Sequence, residues 1–558
     1  MNLNRTLTVA FCLCCLLVWG NGRTAPLLAV DLMPPSKDAF GDDIATTIDH
    51  YIDQRLETLG VAAADLVAPE EFLRRAALDL AGRIPTPAEY RWIQKLPAAS
   101  RSAAIVDHLM SLPDFEYHLR NSLDEMLLSN RPFNRDFRDY LLWAVKTRRG
   151  WDEIFRDLIL APPVDGTQKG AEQFLQSRVR DLDTLTNDTA TLFFGVNIAC
   201  AKCHDHPLVS QWEQGHYFGM QSFFARTFTT RKNQLSERPF GEVKFTTTRG
   251  EEKVAALTFL TGTTVEDPTP PFDDQQRKQL EEQLRRLERE DNVGFMIYPS
   301  FSPRRALVEV ALQDDEDRFF AKNMVNRTWA RLLGVGLVDP LDQMHDGNEA
   351  SHPPLLAWLA NDFAQYEYDL RRLIRGIVLS KTYARSSRWD SSDTPPNPQT
   401  FARGAVRPLT PSQLAASLLV ATKPAAQFPT PERTRDSRWD RLRQEIENQA
   451  GGWAREFELP GDNFQIAVDE ALFFSNNPRV DNDLLRDSAA HLVGQLKAID
   501  DETDLIQQLW IHVLARTPTD TERQLAGDWL ANLAADRDQA IGGLVWAVLT
   551  GAEARFNH

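Results

Sequence analysis

The sequence predicts a mainly α-helical protein, with two helical domains and a small β-hairpin insertion between them. Apolar residues recur at helical spacing, as at Phe72, Ala76 and Leu80. Helix-start signals occur near both ends of the chain, and a short Val-, Phe- and Thr-rich segment in the middle has the composition of strands. At 558 residues, the chain is long enough for two or three domains with substantial cores.

The N-terminus has the organisation of an export signal. Asn4 and Arg5 precede an apolar run over residues 7–19, and small residues follow as far as Ala25. We therefore assign residues 1–25 to a signal peptide and expect a periplasmic or secreted protein, with an uncleaved anchor as the alternative. No segment reaches the roughly 20 apolar residues that a spanning helix needs, so no stable transmembrane span is expected.

The first helical domain is assigned to residues 42–228. Within it, Thr86 and Glu89 have the spacing of a capping box around a first-turn proline, just after a helix that stops near a glycine. The same signals return at Thr519 and Glu522. One recurrence falls short of the three or more stacked repeats of a solenoid, so we interpret it as shared turn chemistry.

The middle of the chain, residues 229–300, is assigned to a β-hairpin and a charged helical linker. Segments 243–248 and 254–260 are rich in β-branched and aromatic residues and are separated by an Arg-Gly pair, which predicts the hairpin turn. The second helical domain is assigned to residues 301–556.

The strongest functional signal is the pentapeptide Cys200-Ala201-Lys202-Cys203-His204. Two thiols one helical turn apart can add across the vinyl groups of a haem, and the adjoining imidazole can bind its iron as axial ligand. The other three cysteines of the chain lie in the N-terminal apolar run. Because c-type haem is attached outside the cytoplasmic membrane, the export signal and this motif support one haem c.

Two alternatives to haem remain open for this motif. Cys200 and Cys203 could bind zinc or non-haem iron together with His206 and His216, in a mixed sulfur and nitrogen site. They could also form a structural disulfide. His206 lies too close in sequence to His204 to reach the opposite face of a haem. His216 is the candidate for that position, since Met220 is expected to pack with neighbouring aromatic residues.

Several ordered stretches of the sequence carry a family resemblance. They are LDLAGRIPTP (78–87), LFFGV (192–196), CAKCHDHP (200–207), FFAR (223–226), SPRRAL (302–307), NRTWARLLGVGLV (326–338), SHPPLL (351–356) and YDLRRLI (368–374). On these, the chain resembles the exported cytochrome-like proteins, abundant in planctomycetes and related bacteria, that are built from two paired domains of unknown function. Many relatives carry an additional upstream Cys-x-x-Cys-His module. This sequence has none, so at most one haem is expected.

A loop of the second domain gathers carboxylates and imidazoles. These are Asp342, His345, Asp346, Glu349 and His352. Such groups can bind metal or act in acid–base catalysis, but they also fit the start of a helix with Ser351 as N-cap and acidic residues near its positive end. Capping needs no imidazole and the resemblance includes Ser-His-Pro, so we expect His352 to face the metal site.

The sequence therefore indicates an exported c-type haem-binding protein that transfers electrons, or carries out oxidoreduction, with an exported partner protein. The alternatives are a non-haem Cys/His metal enzyme, a protein that binds an extracellular polymer, or a scaffold braced by a disulfide. With 79 acidic and 62 basic residues, the net charge of −17 argues against nucleic acid as a partner. Phosphate-binding glycine loops and nucleophile elbows are absent from the sequence.

Overall fold

The structure, a computed structural model, confirms the mainly α fold. It describes residues 44–128, 131, 133–161, 168–205, 209, 212–230, 234–289, 301–314, 317–389, 394–431, 437–458, 468–533 and 536–558. The proposed signal peptide lies outside the described residues. Among the described residues, no helix is long and apolar enough to cross a membrane.

The first half of the chain is built of helices that pack around apolar faces. They are α1 (Ile44–Leu59), α2 (Pro69–Ala76), α3 (Pro87–Ile93), α4 (Arg101–Ser111), α5 (Pro113–Leu128), α6 (Arg135–Lys146), α7 (Trp151–Leu160), α8 (Gln173–Gln176), α9 (Leu182–Phe194) and α10 (Gln214–Ser222). A π-helical turn, Ala77–Ala81, continues α2 to Gly82, whose left-handed conformation ends the helix as the sequence predicted.

Short antiparallel strand pairs follow the first half. They are β1 (Thr227–Thr229) with β2 (Leu235–Glu237), β3 (Lys244–Thr246) with β4 (Glu252–Val254), and β5 (Leu257–Thr258) with β6 (Thr264–Val265). The β3–β4 register places the predicted Arg-Gly turn between the strands. The expected single strand over residues 254–260 is wrong, because a second tight turn at Gly262 pairs β5 with β6 instead.

The second half is again helical. Its elements are α11 (Asp274–Arg289), α12 (Pro303–Gln313), α13 (Phe319–Leu333), α14 (Pro353–Gln365), α15 (Leu370–Val378), α16 (Lys381–Ala384), β7 (Arg407–Pro408), α17 (Pro411–Thr422), α18 (Ser437–Ala454), α19 (Val468–Asn476), α20 (Leu492–Lys497), α21 (Glu502–Leu514), α22 (Asp520–Asn532), α23 (Arg537–Thr550) and β8 (Phe556–Asn557). β7 pairs with β8, which brings the last described residues back to the middle of this half.

Both predicted capping boxes form. The Thr86 hydroxyl accepts from the N–H of Glu89 at 3.2 Å, and the Glu89 carboxylate accepts from the N–H of Thr86 at 2.7 Å. Thr519 and Glu522 make the same two hydrogen bonds at 3.2 and 2.7 Å. The interpretation of these two segments as shared turn chemistry therefore agrees with the backbone.

Buried apolar side chains from both halves form one continuous core. Helix α1 lies against the second half, where the N–H of Thr382 donates to Asp49 at 3.0 Å and Arg385 donates to Asp53 at 2.5 Å. Helices α1 and α15 approach so closely that a Cβ added at Gly376 on α15 would lie 2.5 Å from the Ile44 side chain. Helix α1, the first described helix, is thus part of the packing of the second half.

Candidate functional site

The cysteine motif lies on a short turn that follows α9. The helix ends at Phe194, and Gly195 closes it in the left-handed conformation, with φ of +70°. A 3-10 turn, Ala199–Lys202, comes next, and Cys203 is its C-cap, with its nitrogen 3.4 Å from the carbonyl oxygen of Cys200. The two cysteines therefore lie on one turn of the backbone.

Both thiols are free and exposed. Ala201, between them, is fully buried and holds the inner side of the turn against the core. His204 is exposed, and its Nδ1 lies 2.7 Å from the carbonyl oxygen of Asp205. Because a carbonyl oxygen can only accept, Nδ1 carries the hydrogen and Nε2 of the neutral ring presents its lone pair.

Lys202, the second residue between the cysteines, ties the turn to α9. Its Nζ donates to Asp183 Oδ2 at 2.5 Å, while Asp183 Oδ1 accepts from the Tyr217 hydroxyl at 2.7 Å and from Gln221 Nε2 at 2.9 Å. We call these four residues the Asp183 node. The hydrogen bond from Lys202 is the largest of the effects that lower the pKa of Asp183, and the bonds from Tyr217 and Gln221 act in the same direction.

Gln214, at the start of α10, makes a second tie to the motif. Its Nε2 donates to the carbonyl oxygen of Lys202 at 3.2 Å, and its Oε1 accepts from the N–H of Thr248 at 3.0 Å. Thr248 lies in the turn between β3 and β4. Helix α10 therefore connects the motif turn with the β insertion, a function that nothing in the sequence pattern had assigned to it.

His216 is also on α10. Its Nδ1 accepts from the N–H of Glu213 at 3.2 Å, so the hydrogen of the neutral ring is on Nε2. Burial lowers the pKa of His216, which favours the neutral form. Ligation of a metal through Nε2 would require loss of this hydrogen bond and a change of tautomer. Met220, one turn further on, is fully buried in the core.

The acidic loop of the second half lies against the segment that leads into the motif. The N–H of Met344 donates to the carbonyl oxygen of Gly195 at 2.9 Å, and the N–H of Asn197 donates to the carbonyl oxygen of Asp342 at 2.8 Å. These backbone bonds bring the two halves together next to the cysteine turn. The sequence places the partners about 145 residues apart, a separation at which no local pattern can indicate pairing.

A cleft of about 960 Å³ opens beside this contact, with walls from both halves. Trp212 and His216 contribute from the first half, and His345 and Glu349 from the second. The His345 ring meets the Trp212 ring edge to face at a centroid distance of 5.9 Å. The residues that line the cleft do not include the two cysteines, His204 or His352.

Both ring nitrogens of His345 are used inside its own loop. Nδ1 accepts from the N–H of Gly347 at 3.1 Å, and Nε2 donates to Gln343 Oε1 at 3.2 Å. Burial also lowers its pKa. His345 therefore shapes the loop as a neutral ring, while Asp346 and Glu349 are exposed.

His352 is the N-cap residue of α14, and the expectation that Ser351 would hold this position is wrong. The His352 ring is buried, with Nδ1 3.0 Å from the Ser351 hydroxyl and its centroid 5.5 Å from that of Phe401. Burial, with a smaller effect from Arg55, lowers its pKa to about 4. The prolines in the first turn of α14 agree with the predicted helix start.

Arg327 lies on α13, next to α9, the helix that precedes the motif turn. Its Nε donates to Asn323 Oδ1 at 2.9 Å and its Nη2 donates to the carbonyl oxygen of Thr191 at 2.8 Å. Burial lowers its pKa, and Asp342 opposes that effect. Through these two neutral oxygens, Arg327 joins α13 to α9.

His206 lies outside the described residues, so its position relative to the two thiols is not part of the structure. Within the described part of the chain, no group of three or more His, Cys, Asp or Glu residues is arranged to hold a metal ion. Cys200, Cys203 and His204 are brought together on one turn, whereas His216 and His352 occupy separate environments.

Comparison with protein families gives two matches in chain order. Residues 47–229 match PSCyt2, a protein of unknown function (DUF1549), and residues 303–445 match PSD1, a protein of unknown function (DUF1553). The two matches are consistent with a paired-domain family of unknown function. No curated protein and no solved structure matched the chain.

The PSCyt2 match contains the motif turn and the whole Asp183 node, and the PSD1 match contains the acidic loop that pairs with Gly195 and Asn197. Sequence reasoning did not identify Asp183, which lies in the first turn of α9, 19 residues before its partner Lys202. An acid in that position is common in helices because it favours the positive end, so it gave no functional signal.

Proposed function

We propose that this chain is an exported protein that binds one haem c covalently through Cys200 and Cys203, with His204 as axial ligand. The observation that carries the proposal is the arrangement of the motif turn: two free, exposed thiols on one turn, followed at once by an exposed imidazole. The export signal assigned to residues 1–25 is part of the same proposal, since attachment of haem c takes place outside the cytoplasm.

The chemistry of the two cysteines fits attachment. Each thiol would place its hydrogen on one carbon of a vinyl group and bond its sulfur to the other, so that an S–H bond and a carbon–carbon π bond are lost while C–S and C–H bonds form. This addition exchanges no electrons with another reagent. It requires both thiols to be free and accessible at once, as they are here.

The environment of His204 fits axial ligation. Metal-bound histidines generally donate the hydrogen of the second ring nitrogen to a carbonyl or carboxylate, which fixes the ring and its tautomer. Nδ1 of His204 is engaged in this way by Asp205, and Nε2 is left with its lone pair. A haem bound here would supply a one-electron iron couple, which is the chemistry of electron transfer and oxidoreduction.

The partner we propose is an exported redox protein. The chain has one Cys-x-x-Cys-His motif, so electrons would have to reach or leave this site by way of a second molecule. An extracellular polymer is the alternative partner, for which the cleft of about 960 Å³ beside α10 offers space.

The test is production of the full chain together with haem-maturation machinery. We expect a Soret band, peroxidase staining that persists after denaturing electrophoresis, and a mass increase of one haem. Cys200→Ser and Cys203→Ser should each lose one thioether bond, and the double variant should carry no covalent haem. His204→Ala should still be produced as protein but should lack the absorption spectrum of an imidazole-ligated haem.

The control is Lys423→Met, which removes a lysine that pairs with Glu445 in the second half, away from the motif. It should carry as much haem as the wild type. A wild-type chain without covalent haem overturns the proposal. Metal analysis and thiol titration of that protein would then separate a zinc or non-haem iron site from a disulfide.

A further inference from the structure

Lys202, the residue immediately before Cys203, has a charged side-chain partner. Lys202 Nζ is 2.5 Å from Asp183 Oδ2, although both side chains are more than one third exposed, at 43% and 40%. Exposed ion pairs seldom contribute much by themselves. The carboxylate here is unusual in its other partners, since the buried Tyr217 hydroxyl and Gln221 also donate to it.

These contacts join three elements at one carboxylate. Asp183 is in the first turn of α9, Lys202 is in the motif turn, and Tyr217 and Gln221 are one turn apart on α10. The last two fix the carboxylate from the buried side, so Lys202 binds an acceptor that is already in place. A pre-ordered acceptor reduces the entropy that the lysine loses on pairing.

Among the described residues, the motif turn has few other restraints on its outer side. The two thiols and His204 are exposed. The hydrogen bond from the N–H of Cys203 to the carbonyl oxygen of Cys200 is long, at 3.4 Å. Ala201 packs inward, and Gln214 holds the Lys202 carbonyl. Within the described part of the chain, the side chain of Lys202 is therefore the contact that fixes the exposed end of the turn relative to α9.

We propose that Asp183 is a positioning residue for haem attachment, which acts by holding Lys202 so that Cys200 and Cys203 are presented together on an ordered turn. This inference rests on the proposed function. Formation of two thioether bonds requires the second thiol to meet the second vinyl group after the first bond has formed. A loosened turn would allow the first bond and hinder the second.

The first measurement uses full-length variants made with the maturation machinery. In Lys202→Met and Asp183→Asn, we expect the fraction of protein with two thioether bonds to fall, by about two- to fivefold for the exposed pair and further for Asp183→Asn, which also weakens two other hydrogen bonds. The pyridine haemochrome spectrum distinguishes haem with one remaining vinyl group from haem with none. Lys202→Arg, which keeps the cation, should restore attachment, and Lys423→Met is the matched control for loss of a lysine ion pair.

The second measurement needs no haem. Hydrogen exchange of the backbone amides of residues 198–204 in the haem-free protein should be faster in Lys202→Met and Asp183→Asn by a similar factor, with unchanged exchange in α18. Equal exchange in wild type and variants overturns the inference, whether or not haem is attached. Full double attachment in both variants also overturns it. A wild-type chain that takes up no haem overturns the proposed function, and with it the role in attachment, whatever the exchange data show.

Discussion

His352 and His512 are neutral imidazoles inside the protein. They are 4% and 5% exposed, and burial is the main reason that the pKa of each falls to about 4. Arg55 adds to the effect at His352, whereas a backbone hydrogen bond with Ala421 opposes it at His512. Since both side chains must gain a proton on acid unfolding, they make the folded chain sensitive to mild acid.

The expected pH dependence follows from the sign of this shift. An unfolded histidine binds a proton near its ordinary pKa of about 6.5. In the folded protein, His352 and His512 bind a proton only near pH 4. The free energy of unfolding should therefore fall as the pH drops through this window, by up to about 1.4 kcal/mol per pH unit for each histidine. Urea denaturation between pH 7 and 4 measures it.

His352→Gln should reduce that slope, and His50→Gln, at an exposed position on α1, should leave it unchanged. Comparison of the two variants with the wild type cancels the contribution of carboxylates that titrate in the same range. An unchanged slope in His352→Gln would mean that this imidazole is not neutral and buried in the folded protein.

At the scale of elements, the turns before the two capping boxes each contain an arginine, Arg83 and Arg516, and these arginines share one hydrogen-bond pattern. Nη1 and Nη2 of Arg83 fork onto Glu89 at 2.9 and 3.0 Å, and Nε donates to Asp114 at 2.8 Å. Arg516 forks onto Glu522 and directs Nε to Glu553 at 2.7 Å. In each turn, the arginine follows a left-handed residue that ends a helix.

Burial distinguishes these turns, and it predicts different costs for the same substitution. Arg83, Glu89 and Asp114 are almost fully buried, so Arg83→Met would remove the guanidinium that two buried carboxylates share and should lower the free energy of unfolding by about 3–5 kcal/mol. Arg516 and its partners are 27–30% exposed, so Arg516→Met should cost about 1 kcal/mol. Chemical denaturation of the two variants makes the comparison, and similar losses would contradict it.

The elements also show what a sequence can and cannot indicate. Capping boxes at Thr86 and Thr519 and the turn at Gly250 were predictable, because each depends on residues within a few positions of one another. The Asp183 node depends on partners up to 38 residues apart on three elements, and its members carry no distinctive spacing. The motif was visible in the sequence, but the side chains that hold it became visible only when α9 and α10 were placed together.

For the molecule as a whole, charge pairs link the halves around a continuous apolar core. Glu447 on α18 accepts hydrogen bonds from Arg120 on α5 and Arg138 on α6, and its other oxygen accepts from Arg443 at 2.8 Å. Burial lowers the pKa of Arg120 to about 10, with Glu447 as the largest opposing effect. Three arginines therefore share one carboxylate at the junction of the two halves, and Arg138 also pairs with Asp124.

Removal of this charge should destabilise the whole chain rather than one half. Glu447→Gln would leave partly buried guanidinium groups without their common carboxylate, and we expect a loss of about 2–4 kcal/mol. Glu445→Gln is the matched control on the same helix, because Glu445 is half-exposed and pairs with a single lysine, so its loss should stay below about 1 kcal/mol. Since the core is continuous, urea unfolding of Glu447→Gln should remain a single transition with an unchanged m-value and a lower midpoint. Two separate transitions would instead show that the halves are held together mainly by this carboxylate, and equal losses in the two variants would show that the junction contributes no more than an exposed ion pair.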